Sequence, residues 1–154
     1  MKYFPIALTM LISLSGLFTM TSCSNSNDDS ADLQQTVVEN TVQSGQWRIT
    51  SFIDSGKDET SDFSGFSFNF ESNGALTSTN GNTTYSGTWS VTDHNSNDDN
   101  PGGDLDFNIL FNLNNQFEDI SEDWHIVSQS STRIELIHIS GGNGGTDNLI
   151  FEKM

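Results

Sequence analysis

Three histidines, His94, His125 and His138, and a single cysteine, Cys23, are the side chains best suited to ligate a metal or attack a substrate. A zinc site needs three or four converging ligands. None of the histidines has a second ligand at helical or hairpin spacing. His94 falls in a polar loop, and His125 and His138 fall in predicted strands, where solvated or half-buried imidazoles are the expectation. His125 follows Trp124 and should point away from it, outward. A serine nucleophile needs a base and an orienting acid in reach, and no Gly-x-Ser-x-Gly elbow is present. The glycines of 141–145 lack the helix and lysine of a phosphate-binding loop. Asp93, Asn95, Asn97, Asp99 and Asp104 match positions of a calcium loop, but Asp98 stands where that loop needs glycine and Asp104 where it needs glutamate. Neither catalysis nor a resident metal or other cofactor is expected.

Cys23 has a more specific reading. A basic start, Met1-Lys2, leads into an apolar run from Phe4 to Phe18 and then Thr19-Met20-Thr21-Ser22-Cys23. Small residues after a short apolar run suit a signal peptidase. The run is shorter than the roughly 20 residues that span a bilayer, and Pro5 weakens it as a helix. Met20-Thr21-Ser22-Cys23 resembles a lipobox, departing from it at Met20. The alternative is an ordinary secretory leader that leaves an odd reactive thiol. Residues 1–22 are therefore expected to be a lipoprotein signal peptide and Cys23 the lipid attachment point, giving membrane association through acyl chains. Residues 23–30 form an acidic tether. Its Ser26-Asn27-Asp28-Asp29 is similar to the tag that sends some lipoproteins to the cell surface, so an outer-membrane, surface-exposed location is expected, with a periplasm-facing anchor as the alternative.

Charge bounds the partners. The chain carries 21 acidic against 5 basic residues, a formal net charge of −16. Removing the leader takes Lys2 and makes the balance one unit more negative. Nucleic acid binding, which needs a basic surface, is excluded as an expectation. The acids are dispersed, which favours solubility and a monomer. With one cysteine, no intrachain disulfide can form. Residues 31–154 are long enough for one domain with a proper core.

The elements that must position any site are mostly strands. Residues 31–44 read as a short helix, with Leu33, Val37 and Val38 near one face and Val42 continuing it. From Gly45 the period is two. Trp47, Ile49 and Ile53 share one phase; Phe66, Phe68 and Phe70 share another; Tyr85, Gly87, Trp89 and Val91 a third; Leu105, Phe107, Ile109 and Phe111 a fourth. Asn73-Gly74 and Asn80-Gly81 mark hairpin turns. Leu76–Thr79, Trp124–Ser128, Ile134–Ile139 and Leu149–Phe151 bring the total to about eight strands. Residues 112–121 lack alternation and suit a helical turn. An antiparallel, up-and-down, all-β barrel leaves no exposed edge; a two-sheet sandwich is the alternative.

Gly45-Gln46-Trp47 at the start of the first strand resembles the Gly-x-Trp signature of lipocalins. Phe66-Ser67-Phe68-Asn69-Phe70, Asn73-Gly74, Tyr85-Ser86-Gly87-Thr88-Trp89-Ser90-Val91 and Leu149-Ile150-Phe151-Glu152-Lys153 extend the likeness to the lipocalin-like domains of exported bacterial lipoproteins, over residues 45–153. The resemblance implies a barrel whose structural signature is Gly45 and Trp47, with an arginine stacked on the tryptophan; Arg133 is the nearest candidate. It also implies binding of a small apolar or amphipathic ligand, with Phe66, Phe68, Phe70, Tyr85, Trp89, Phe107 and Phe111 as candidate lining. Those rings equally suit a filled interior, because a small eight-stranded barrel has just enough room for its own side chains. An interaction module that presents its loops to a protein or glycan is the second functional reading.

Overall fold

A computed structural model describes residues 28–93, 105–140 and 145–154. The expected leader, Cys23, most of the acidic tether and the loop from His94 to Asp104 lie outside the described residues. The helix α1 spans Asp28–Gln43 and so begins within the expected tether. The strands are β1 (Gln46–Asp54), β2 (Lys57–Asp58), β3 (Ser67–Phe70), β4 (Ala75–Thr79), β5 (Thr84–Asp93), β6 (Leu105–Leu110), β7 (Asp123–Gln129), β8 (Arg133–Ile139) and β9 (Thr146–Lys153). A 3-10 turn, Thr60–Phe63, stands between β2 and β3.

Every pairing is antiparallel: β1 pairs with β2, β3 and β9, and β3 to β9 pair in chain order. The chain is therefore a closed eight-stranded meander barrel with a short N-terminal helix; β2 is a two-residue strand folded back on the end of β1. The eight longer strands are those the alternation predicts. Hydrophobic residues turn inward because each strand offers one face to the interior and one to water. Trp47, Phe52, Phe68, Phe70, Leu76, Phe107, Trp124, Ile134, Leu136, Leu149 and Phe151 are buried to 2% exposure or less.

The register departs from strict alternation in two strands. In β1, Ile49 faces Phe151 but Ser51 faces Ile150, so Thr50 is an extra residue. This bulge shifts the phase, and Phe52 rather than the expected Ile53 enters the core. In β7 the same irregularity leaves Val127 unpaired between Ile126 and Ser128, and its side chain stays exposed. The Asn73-Gly74 turn also differs from a two-residue hairpin. Gly74 alone adopts positive φ, at 82°, and its N–H donates to the Glu71 carbonyl at 3.0 Å. Residues 116–120, where a helical turn was expected, form hydrogen-bonded turns, with the Glu118 N–H donating to the Asn115 carbonyl at 2.8 Å.

Helix α1 packs at the barrel end where β1 starts. It buries Val38 and Val42, one turn apart, and leaves Leu33 and Val37 outside. The expected apolar face is thus rotated. Gln35 fixes that rotation by donating from Nε2 to the Val91 carbonyl on β5 at 3.0 Å. The Trp47 indole N–H donates to the Val42 carbonyl at 2.8 Å.

The cation over Trp47 is Lys153, not Arg133. Lys153 Nζ stands 5.7 Å from the ring centroid and donates to Ser44 Oγ at 2.8 Å. Arg133 instead reaches Glu135 at 3.3 Å and Glu152 at 3.4 Å. It opens β8 opposite Glu152, whereas Lys153 is the residue paired directly with Trp47. Gly45 adopts a φ of 154°, which favours glycine, and a Cβ there would lie 2.7 Å from Lys153 Cε, so the flexible lysine would have to shift.

Candidate functional site

The residues expected to line a ligand cavity are packed against one another. Phe70 meets Trp89, Phe107 and Phe151 edge-on, at centroid distances of 5.4, 5.6 and 5.7 Å. Trp89 stacks on Phe107 at 5.8 Å. Phe68 meets Phe151 at 5.3 Å. The end away from α1 is closed by Phe117, from the β6–β7 connection. Its ring touches Phe63, Phe66, Tyr85 and Phe111 at 4.7–5.5 Å. Phe117 had no sequence signal, because residues 112–121 carry neither period. Its anchoring is local: Asn115 accepts from the Phe117 N–H at 3.0 Å, and Ser121 Oγ donates to the Phe117 carbonyl at 2.6 Å.

Of the seven lining candidates, Phe66 also borders an open groove. Along one edge, β1 pairs with β3 only at Gln46 and Trp47, and with β2 only at Ile53 and Asp54. The segment between has no strand partner on that side. Thr60 substitutes at Phe52, accepting from its N–H at 2.8 Å through Oγ1. The resulting groove holds about 450 Å³, with Ile49, Phe63 and Phe66 as its buried floor. Arg48, Thr50, Ser61, Ser64 and Met154 stand around it. A second groove of about 400 Å³ lies at the other end, between α1 and β7, where Leu33, Val37 and Val127 are exposed.

The histidines divide. His94 lies outside the described residues, as do Asn95, Asn97, Asp99 and Asp104 of the calcium-like loop; Asp93 ends β5. His125 points outward, as expected, and its Nδ1 is 2.7 Å from Asp106 Oδ1 across the β6–β7 ladder. His138 is different. It shares the inward phase of Ile134 and Leu136, and its ring lies 6.0 Å from the Trp124 indole. Its Nδ1 is 3.3 Å from Asp147 Oδ2, and its Nε2 is 3.8 Å from both Glu122 Oε2 and Asp123 Oδ1.

Asp147 is held firmly. Its Oδ1 accepts from the Ser55 N–H at 2.8 Å and from the Ser55 hydroxyl at 3.3 Å. Burial works against its charge, but the hydrogen bonds from Ser55 and His138 outweigh it and hold the carboxyl below its ordinary range. Asp119 moves the other way: burial first, then the charges of Glu59, Asp54 and Glu118, push its carboxyl up.

No helix among the described residues is long and apolar enough to cross a membrane. No family model matches the chain, and no curated protein matches it. Among solved structures, the chain is similar to a crystal structure of a DUF4847 family protein from Bacteroides vulgatus ATCC 8482. That match has 18% identity and a TM-score of 0.49, and covers 75% of this chain and 96% of the other.

Proposed function

We propose that this protein is a lipid-anchored, non-enzymatic binding protein of the cell envelope, whose barrel takes up a small apolar or amphipathic molecule. The observation that carries the reading is the groove at the β1–β3 seam. Its volume of about 450 Å³ falls in the range of small-molecule sites, roughly 300–1,000 Å³. Its floor of Ile49, Phe63 and Phe66 supplies apolar contact, and the hydroxyls of Thr50, Ser61 and Ser64 offer orienting hydrogen bonds. The packed interior favours a ligand at this seam over one enclosed among Phe70, Trp89 and Phe107.

The anchor rests on Cys23 and its flanking residues. Exchanging Cys23 for Ser should move the protein from the membrane fraction to the soluble one; continued retention would sink the anchor. The binding role is tested on full-length protein extracted in mild detergent. Native mass spectrometry should find a co-purifying small molecule, and a fatty acid or hydrophobic dye should titrate to saturation. Ser64→Trp places an indole in the groove from an exposed position and should abolish that saturable binding. A bare mass with no saturable binding would overturn the role, as would unchanged binding by Ser64→Trp.

A further inference from the structure

A second constellation lies apart from the seam groove. It forms where β7 begins and β8 ends, beside the start of β9. Glu122, Asp123 and His138 each offer one ligand atom, and the three atoms lie within 4.8 Å of one another. Glu122 and Asp123 are adjacent in sequence just at the entry to β7, whereas His138 arrives from β8. Closure of the meander brings them together.

The imidazole is aimed. Its ring packs against Trp124, and Nδ1 faces Asp147, which Ser55 holds in turn. Nε2 is thereby turned toward the two carboxylates. Metal-bound histidines characteristically donate their other ring N–H to a carboxylate, which fixes tautomer and ring direction. The charge balance points the same way. Glu122, Asp123 and Asp147 all face this one imidazole. A protonated histidine would neutralise one of three negative charges; a dication on Nε2, with the imidazole neutral, neutralises two.

We propose that Glu122, Asp123 and His138 form a binding site for a zinc-class dication, with Asp147 as the positioning residue for His138. One imidazole with two carboxylates suits zinc or a neighbouring late transition ion. Calcium and magnesium favour all-oxygen shells. Tetrahedral zinc with bonds of about 2.0–2.1 Å sets its ligand atoms roughly 3.3–3.4 Å apart. The 3.8 Å spacings close to that by small rotations of Glu122 and Asp123, whose side chains are 42% and 71% exposed. Three protein ligands leave the fourth position to solvent or a small anion.

The test uses full-length protein in detergent, freed of metal by a chelator. Zinc is titrated against a fluorescent competitor, and cobalt is followed by its visible absorption. One equivalent should bind per chain and resist excess calcium. His138→Gln should weaken binding by at least about 100-fold, and Asp147→Asn by about 10–100-fold, the usual cost of losing an outer partner. Asp123→Asn, at an exposed position, should weaken it about tenfold or more even if His138→Gln folds poorly, with circular dichroism as the check on folding. Zinc affinity equal in the wild type and in folded His138→Gln or Asp123→Asn would overturn the site, as would displacement by equimolar calcium. Ser64→Trp should leave zinc binding intact, which separates this site from the seam groove.

Discussion

The indole N–H of Trp47 donates to the Val42 carbonyl 2.8 Å away, joining the last turn of α1 to the first inward-facing residue of β1. That carbonyl belongs to a helix end, where four C=O groups lack intrahelical partners. The same tryptophan is fully buried and carries Lys153 over its ring.

Replacing Trp47 by Phe keeps most of the apolar contact and removes the donor. The Val42 carbonyl then stays buried without its partner, so stability should fall by about 1–3 kcal/mol. Replacement by Ala adds a cavity and should cost about 3–5 kcal/mol. Urea midpoints of the two variants check the order; equal losses would show that packing alone matters here.

Ser78 points into the barrel opposite Phe68, is fully buried, and its hydroxyl finds no hydrogen-bond partner among the described residues. An unsatisfied buried polar group costs about 1–3 kcal/mol. Ser78→Ala should therefore raise stability, by about 1 kcal/mol after the loss of packing atoms. A lower melting temperature would mean that the hydroxyl is satisfied in solution.

Gly87 sits where β5 passes close to the end of β6. A Cβ at this position would lie 2.4 Å from the Leu110 carbonyl oxygen and 2.8 Å from Phe111 Cδ1. Gly87→Ala should lower stability by about 1–3 kcal/mol, as overpacking does. Truncating Phe111 in the same chain should not rescue it, because the nearest clash is with backbone. Recovery in the double variant, followed by thermal unfolding, would place the strain on the ring instead.

Asp147 makes stability depend on pH with a defined sign. Its folded carboxyl lies below the unfolded value of about 3.9. The unfolded chain then takes up a proton first on acidification. The contribution is fully present above the unfolded value and is lost as pH falls through the folded one. Asp119, raised in the fold, acts oppositely and gains on acidification. Urea midpoints between about pH 6 and pH 3 should fall less steeply in Asp147→Asn than in the wild type. Parallel curves would remove Asp147 as a source of acid sensitivity.

Much of the barrel was legible because its strands are half-buried. Phe66, Phe68 and Phe70 alternate with Ser67 and Asn69, and water on one side with core on the other leaves no other period. Phe52 was not legible. Its inward turn depends on the extra residue at Thr50, and a bulge is set by the partner strand β9 rather than by β1 itself. Lys153 over Trp47 was hidden for a similar reason, since register decides which cation arrives. The seam groove depends on where β1 parts from β3, which no local pattern encodes. His138 looked like a lone strand histidine because its three carboxylates lie 9 to 16 positions away along the chain, at residues 122, 123 and 147. Only the stacking of β7, β8 and β9 in one register brings them within reach.

The long ladder between β1 and β9 has a consequence for synthesis. β1 leaves the ribosome first of the described strands, yet the strand that pairs with it from Trp47 to Ile53 is the last of them to appear. Until then β1 has only its two-residue attachments to β2 and β3, and the meander stays an open ribbon. Such distant pairing slows folding, because a large loop must close before contact is gained. The barrel can therefore close only once Thr146–Lys153 is in place, and any N-terminal fragment that lacks this strand would hold an unclosed ribbon with β1 open along the edge that β9 would cover.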